Sequence, residues 1–94
     1  MNERKRAVQA HIYGTVQGVG YRAWTRDEAT RLGLLGWVRN ERDRSVTAWL
    51  TGADAPIAAM IERLRQGPPG AAVSRIDVEE LETWATPGDF RIIG

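Results

Sequence analysis

The chain has 94 residues, enough for one domain with a modest core, and a formal net charge of +1. It holds no cysteine and a single histidine, His11, which excludes disulfides, thiol catalysis, thiolate metal sites and a histidine-based metal cluster. So even a charge balance announces neither a nucleic-acid nor a membrane partner, and the lack of cysteine agrees with a reducing, cytoplasmic setting.

Met1 to Arg6 is charged and no apolar run follows it, so neither a secretory signal nor a transmembrane span is expected. Residues 1–6 are read as a flexible N-terminal tail and 7–94 as a single domain. From Ala7 to Tyr13 the chain alternates, with Val8, Ala10 and Ile12 on one side and Gln9, His11 and Tyr13 on the other. That is the period of a half-buried strand, and it leaves His11 as an ordinary surface residue. Arg22 to Leu32 contains no proline or glycine. Tyr21, Trp24, Thr25, Glu28, Ala29 and Leu32 mark one face of a first helix, and Gly33 supplies its stop.

Leu35 to Asn40 reads as a second strand and Ser45 to Thr51 as a third, with Glu41-Arg42-Asp43-Arg44 forming a hairpin between them. Trp49 and Thr47 alternate with Val46, Ala48 and Leu50, which puts Trp49 on an open sheet face. Ile57, Met60, Ile61 and Leu64 follow the i, i+3, i+4, i+7 pattern of a second helix, with Asp54 or Ala55 as cap and Pro56 in its first turn. Gly67-Pro68-Pro69-Gly70 ends that helix in a turn. Val73 to Leu81 is a fourth strand with imperfect alternation, and Phe90 to Ile93 a short last one. The order βαββαβ, with a terminal β, is that of the split ferredoxin-like motif. The fold class is therefore α+β: a ferredoxin-like sandwich, its antiparallel sheet carrying two helices on one face and a short extra C-terminal strand.

The segment with most chemistry in it is Gly14-Thr15-Val16-Gln17-Gly18-Val19-Gly20-Tyr21-Arg22. Glycines let successive backbone N–H groups turn toward a ligand, and such groups form an anion-binding concavity. An arginine at its edge adds a planar fork of donors suited to phosphate or carboxylate. The start of the first helix would direct its partial positive charge to the same place. The dinucleotide fingerprint fails for want of a third glycine at Ala23, and the nucleotide-triphosphate loop fails for want of a lysine. Taken alone, the segment reads equally as a glycine-rich turn between strand and helix.

Four blocks together resemble the acylphosphatase family. They are Gly14-x-Val16-Gln17-Gly18-Val19-Gly20-Tyr21-Arg22, Leu32-Gly33-Leu34-x-Gly36-Trp37-Val38-Arg39-Asn40, Gly67-Pro68-Pro69-x-Ala71-x-Val73 and Phe90-x-Ile92. The resemblance runs from about Val8 to Ile93. It implies a small ferredoxin-like domain that hydrolyses the carboxyl–phosphate bond of acyl phosphates without metal or cofactor. It makes Arg22 the phosphate-binding arginine and Asn40 the residue that orients the attacking water. It further implies that backbone N–H groups of Thr15, Val16, Gln17, Gly18, Val19, Gly20 and Tyr21 hold the phosphate oxygens. Inorganic phosphate and sulfate are then the competing anions, and a monomer is expected.

One departure concerns the hairpin, where family members commonly have Asp-Gly and this chain has Asp43-Arg44. A two-residue turn of the favoured kind needs φ > 0, which costs a non-glycine residue about 1 kcal/mol or more, unless the loop is wider. In some members the terminal carboxylate lies near the arginine, an arrangement that Gly94 leaves open. Asp27 and Glu28 read as solvated helix charges rather than as a general base. Two other functions are weighed. One is a non-hydrolytic module that binds acyl or carbamoyl phosphate, as in hydrogenase-maturation carbamoyltransferases. The other is a nucleic-acid-binding ferredoxin-like domain, disfavoured because Ser45 to Thr51 lacks the aromatic pattern of an RNA-recognition strand.

Overall fold

The structure is a computed structural model that describes residues 5–94. Its elements in chain order are β1 (Lys5–Thr15), α1 (Tyr21–Arg31), β2 (Leu35–Asn40), β3 (Val46–Ala53), α2 (Asp54–Gln66), β4 (Ala72–Glu80) and β5 (Phe90–Ile92). They form one five-stranded sheet in the order β4-β1-β3-β2-β5. All neighbouring pairs are antiparallel except β2 and β5, which run parallel. The two helices pack on one face, as the ferredoxin-like reading expects.

Alternation decides which side chains meet them. Val8, Ala10 and Ile12 of β1 and Val46, Ala48 and Leu50 of β3 are fully buried, and face Ile57, Met60 and Leu64 of α2 and Tyr21 and Ala29 of α1. Burying each aliphatic side chain of this size contributes about 1.5–3 kcal/mol. The opposite face is drier than expected. Trp49 is half-buried there, while Thr47 and Thr51 are buried and place their hydroxyls on protein acceptors, Glu41 Oε2 and the Arg6 carbonyl, at 2.5 and 2.8 Å.

Several details differ from the periodicity. β1 begins at Lys5 rather than Ala7, because Arg6 is bridged to Asp54 and Glu80 and its carbonyl accepts from Thr51. Residues 1–4 of the expected tail lie outside the described residues. α2 begins at Asp54 itself, after Ala53, and no side chain caps it. Asp54 thus sits inside the first turn, where a carboxylate suits the helix dipole. The uneven spacing of Val73 and Ile76 comes from a bulge. Tyr13 pairs with Arg75 and Gly14 with Val73, so Ser74 is skipped and both apolar side chains reach the core.

The end of α1 sets the entry of β2. Gly33 N–H donates to the Thr30 carbonyl at 3.0 Å and Leu34 N–H to the Ala29 carbonyl at 2.9 Å, the paired bonds of a Schellman closure with buried Leu34 behind it.

Candidate active site

β1 and β2 both run antiparallel to β3, so their C-terminal ends leave the sheet on the same side. Val46 of β3 pairs with Ile12 on one flank and with Asn40 on the other. With strands about 4.8 Å apart, Asn40 stands roughly 10 Å across the sheet from β1. The loop leaving β1 crosses part of that gap before α1 begins. β5 runs parallel to β2 and brings Ile92 to the same end.

The loop is held at several points. At Gly14 (φ 125°) a Cβ would lie 2.1 Å from the Ala72 carbonyl oxygen, so only glycine lets β4 come this close at the bulge. The Val16 side chain is buried in the core. The Gln17 side-chain amide donates to the Glu41 carbonyl at 3.0 Å and to the Ser45 carbonyl at 2.9 Å, fastening the loop to the β2–β3 hairpin. Gly18 and Gly20 take left-handed φ of 76° and 77°, open to glycine at no steric cost. Gly20 is also the N-terminal cap of α1, its carbonyl accepting from Trp24 N–H at 3.0 Å.

A cavity of about 230 Å³ lies between these pieces. Its walls come from Val16, Gln17, Gly18 and Gly20 of the loop, Tyr21, Arg22 and Ala23 of the first turn of α1, Asn40 of β2 and Ile92 of β5. Among the described residues the Arg22 side chain makes no ion pair and no hydrogen bond, and the Asn40 amide makes none either. A half-buried arginine without a counter-charge, beside an uncapped helix N-terminus, gives the cavity an electrostatic environment that suits an anion. A larger cleft of about 620 Å³ lies elsewhere, beside Trp84, but its arginine, Arg6, is already bridged by Asp54 and Glu80.

Of the residues expected at the site, Arg22, Asn40, Val16, Gln17, Gly18, Gly20 and Tyr21 come together around the cavity. Thr15 and Val19 do not. Thr15 is the last residue of β1, still paired with Ala72, and lines a neighbouring cavity; Val19 packs against the core. The buried Tyr21 side chain reaches α2. Its hydroxyl donates to the Leu64 carbonyl at 2.7 Å, satisfying an orphan group at the end of α2, and its ring lies 5.4 Å from that of Trp24. Burial pushes its phenol well up. Ala23 and Ile92 were not anticipated. Ile92 stood in the last of the four blocks, but only the parallel pairing of β5 with β2 places it at the cavity. Gly94 lies beside Arg39. Asp27 pairs with Arg26, and Glu28 with Arg31 and Arg63, and neither lines the cavity.

The family model described as Acylphosphatase matches residues 8–92. The chain belongs to the acylphosphatase family. It is 76% identical over 93 residues to an acylphosphatase of Mesorhizobium japonicum, covering 99% of each chain. Among solved structures, an acylphosphatase from Coxiella burnetii superposes with a TM-score of 0.90 at 35% identity, over 95% of this chain and 93% of that one. Full-length HypF in its phosphate- and nucleotide-bound form superposes with a TM-score of 0.86 at 29% identity, over 100% of this chain but 12% of that one.

Proposed function

We propose that this protein hydrolyses the carboxyl–phosphate bond of acyl phosphates, releasing a carboxylate and inorganic phosphate. The observation that carries this reading is the meeting of two uncommitted side chains, Arg22 and Asn40, at one cavity walled by a glycine loop and a helix N-terminus. Family membership supports the substrate class.

Phosphoryl transfer asks mainly for positioning and for stabilisation of charge on the equatorial oxygens. Arg22 supplies a planar fork for two of them, and N–H groups of the loop and of the first turn of α1 complete a preorganised clamp. Asn40 offers one acceptor and two donors, which hold a water in line with the leaving carboxylate. The water oxygen attacks phosphorus, and the carboxylate departs with the electron pair of the P–O bond. An amide takes no proton near neutrality, and Asp27 and Glu28 stand in ion pairs away from the cavity. The water's proton therefore passes to a phosphate oxygen, leaving dihydrogen phosphate.

We take a monomer as the working unit. The lack of cysteine favours a reducing compartment, the cytoplasm. A non-hydrolytic acyl- or carbamoyl-phosphate-binding module is the weaker reading, because the chain is 76% identical to its acylphosphatase relative and 29% identical to HypF.

Kinetics of two variants test the roles. Arg22 meets charge present throughout the reaction, so Arg22→Gln weakens phosphate binding and lowers the rate by about 10²–10³. Arg22→Lys restores little, since a point charge does not reproduce the fork. Asn40 touches the water, so Asn40→Ala lowers kcat by a similar order while inhibition by inorganic phosphate stays within about threefold, roughly 0.7 kcal/mol. Loss of phosphate affinity with kcat retained in Asn40→Ala would place Asn40 in the anion clamp and overturn its role with the nucleophile.

A further inference from the structure

Arg44 is the non-glycine residue with positive φ among the described residues, at 73°. The hairpin explains the geometry. Arg44 N–H donates to the Glu41 carbonyl at 3.2 Å and Glu41 N–H to the Ser45 carbonyl at 2.9 Å, which closes a three-residue loop whose last member takes the left-handed conformation. Glycine occupies that position freely, whereas a long side chain is strained there. Strain held at the edge of a site points to a use for the side chain.

Its surroundings suggest that use. Arg44 lines a second cavity of about 440 Å³ whose other walls are Gly14, Thr15, Val16, Gln17 and Gly18. Those last three also wall the phosphate cavity, so the two spaces share the loop as a common partition. The carboxylates nearest in sequence are engaged elsewhere. Asp43 accepts from the N–H and hydroxyl of Ser45 at 3.0 and 2.5 Å, and Glu41 accepts from Arg39 and Thr47 at 2.9 and 2.5 Å. Among the described residues Arg44, like Arg22, has no ion-pair partner, whereas Arg39, Arg63 and Arg75 each have one.

We propose that Arg44 receives a second negative charge, a carboxylate or phosphate carried on the acyl group, and so tunes the enzyme toward acyl phosphates that are anionic at both ends. This rests on the hydrolase reading above. With the phosphoryl group against Arg22, an acyl chain of a few carbons passes over Gln17 and Gly18 into the second cavity and presents its far end to the Arg44 guanidinium. A neutral acyl group fills the same path and gains nothing from Arg44.

The test compares succinyl phosphate with butyryl phosphate, which matches its carbon count and lacks its distal carboxylate, and adds 3-phosphoglyceroyl phosphate for a distal phosphate. The readout is the ratio of kcat/KM for each anionic substrate to that for butyryl phosphate. Arg44→Gln and the strain-free Arg44→Gly are expected to lower this ratio by about three- to tenfold, the range for a partly exposed charge-assisted contact. Arg44→Lys keeps most of it. Arg42, exposed on the same hairpin and off the cavity wall, is the charge-matched control, and Arg42→Gln leaves the ratio within about twofold. A larger loss for the carboxylate or for the phosphate substrate identifies which group Arg44 takes. An unchanged ratio in both Arg44 variants, or an equal loss in Arg42→Gln, overturns the inference while turnover of butyryl phosphate leaves the hydrolase reading standing. Failure of the unaltered protein to turn over butyryl phosphate would instead overturn both.

Discussion

The side-chain amide of Gln17 donates to the backbone carbonyl of Glu41 at 3.0 Å. That bond, with its companion to Ser45 at 2.9 Å, joins the anion loop to the residue that follows Asn40, and so sets the distance between the two halves of the site. Gln17→Met keeps the length of the side chain and removes both donors. Each carbonyl retains a second backbone partner, from Arg44 and Glu41 respectively, so the loss of stability falls at the low end of the range for broken bonds, about 1 kcal/mol. The effect on rate is larger, because small misplacements of reacting groups are costly, and kcat/KM is expected to fall by about 10–10². Urea midpoints and acyl phosphate kinetics measure the two separately. A loss of stability with full kcat/KM would reduce Gln17 to a structural clasp.

Among the described residues no three His, Asp or Glu side chains are grouped so as to hold a metal ion. Hydrolysis of acetyl phosphate is therefore expected to run at the same rate with and without a chelator. Inorganic phosphate and sulfate should inhibit competitively, since the cavity presents its donors to the anion. Activity abolished by chelation and restored by a divalent ion would require a different electrophile from Arg22.

Arg44 offers a stability test. Its left-handed backbone costs about 1 kcal/mol relative to glycine, while glycine adds unfolded-state entropy of similar or smaller size. Arg44→Gly is therefore expected to be neutral or stabilising by up to about 1 kcal/mol, read as a shifted denaturant midpoint at unchanged slope. A clear loss of stability would mean that the side chain holds the hairpin through a contact that outweighs the strain.

Glu41 makes the hairpin sensitive to acid. Hydrogen bonds from Thr47 first, and then from Arg39, hold its carboxyl below the ordinary value of 4.5. A carboxyl depressed in the folded state contributes stability that is complete above its unfolded value and is lost as pH falls through the folded one. Stability should thus decline as the pH drops below about 4.5, and less steeply in Glu41→Gln, although Asp43, lowered by its bonds to Ser45, keeps part of the slope. Denaturant midpoints at neutral pH and near pH 3 compare the two proteins, and equal declines would show that Glu41 contributes nothing to the acid limb.

The order of elements was legible because local periodicities carried it. Val8, Ala10 and Ile12 declare a strand by alternation, and Ile57, Met60 and Leu64 a helix by their spacing. The bulge at Gly14 was visible only as a flaw in the alternation of β4, since its cause lies on β1. Arg6 resembled tail because charge at a terminus usually means solvent, and nothing near it in sequence shows the carboxylates of Asp54 and Glu80 that hold it.

For the site, residue types and spacing singled out the glycine loop, Arg22 and Asn40, because close backbone approach needs glycine and an anion needs a fork of donors. What the sequence determined by itself was thus the chemistry on offer and the elements that bear it. The meeting of that chemistry was decided only by the sheet. Because β1, β2 and β5 run in one direction and α1 starts where they end, the loop, Arg22, Asn40 and Ile92 converge on one cavity although Val16 and Ile92 lie 76 positions apart in the chain. The Gln17 clasp and the left-handed Arg44 belong to the same category, since strand pairing sets hairpin geometry and a hydrogen bond across the fold has no period in the sequence.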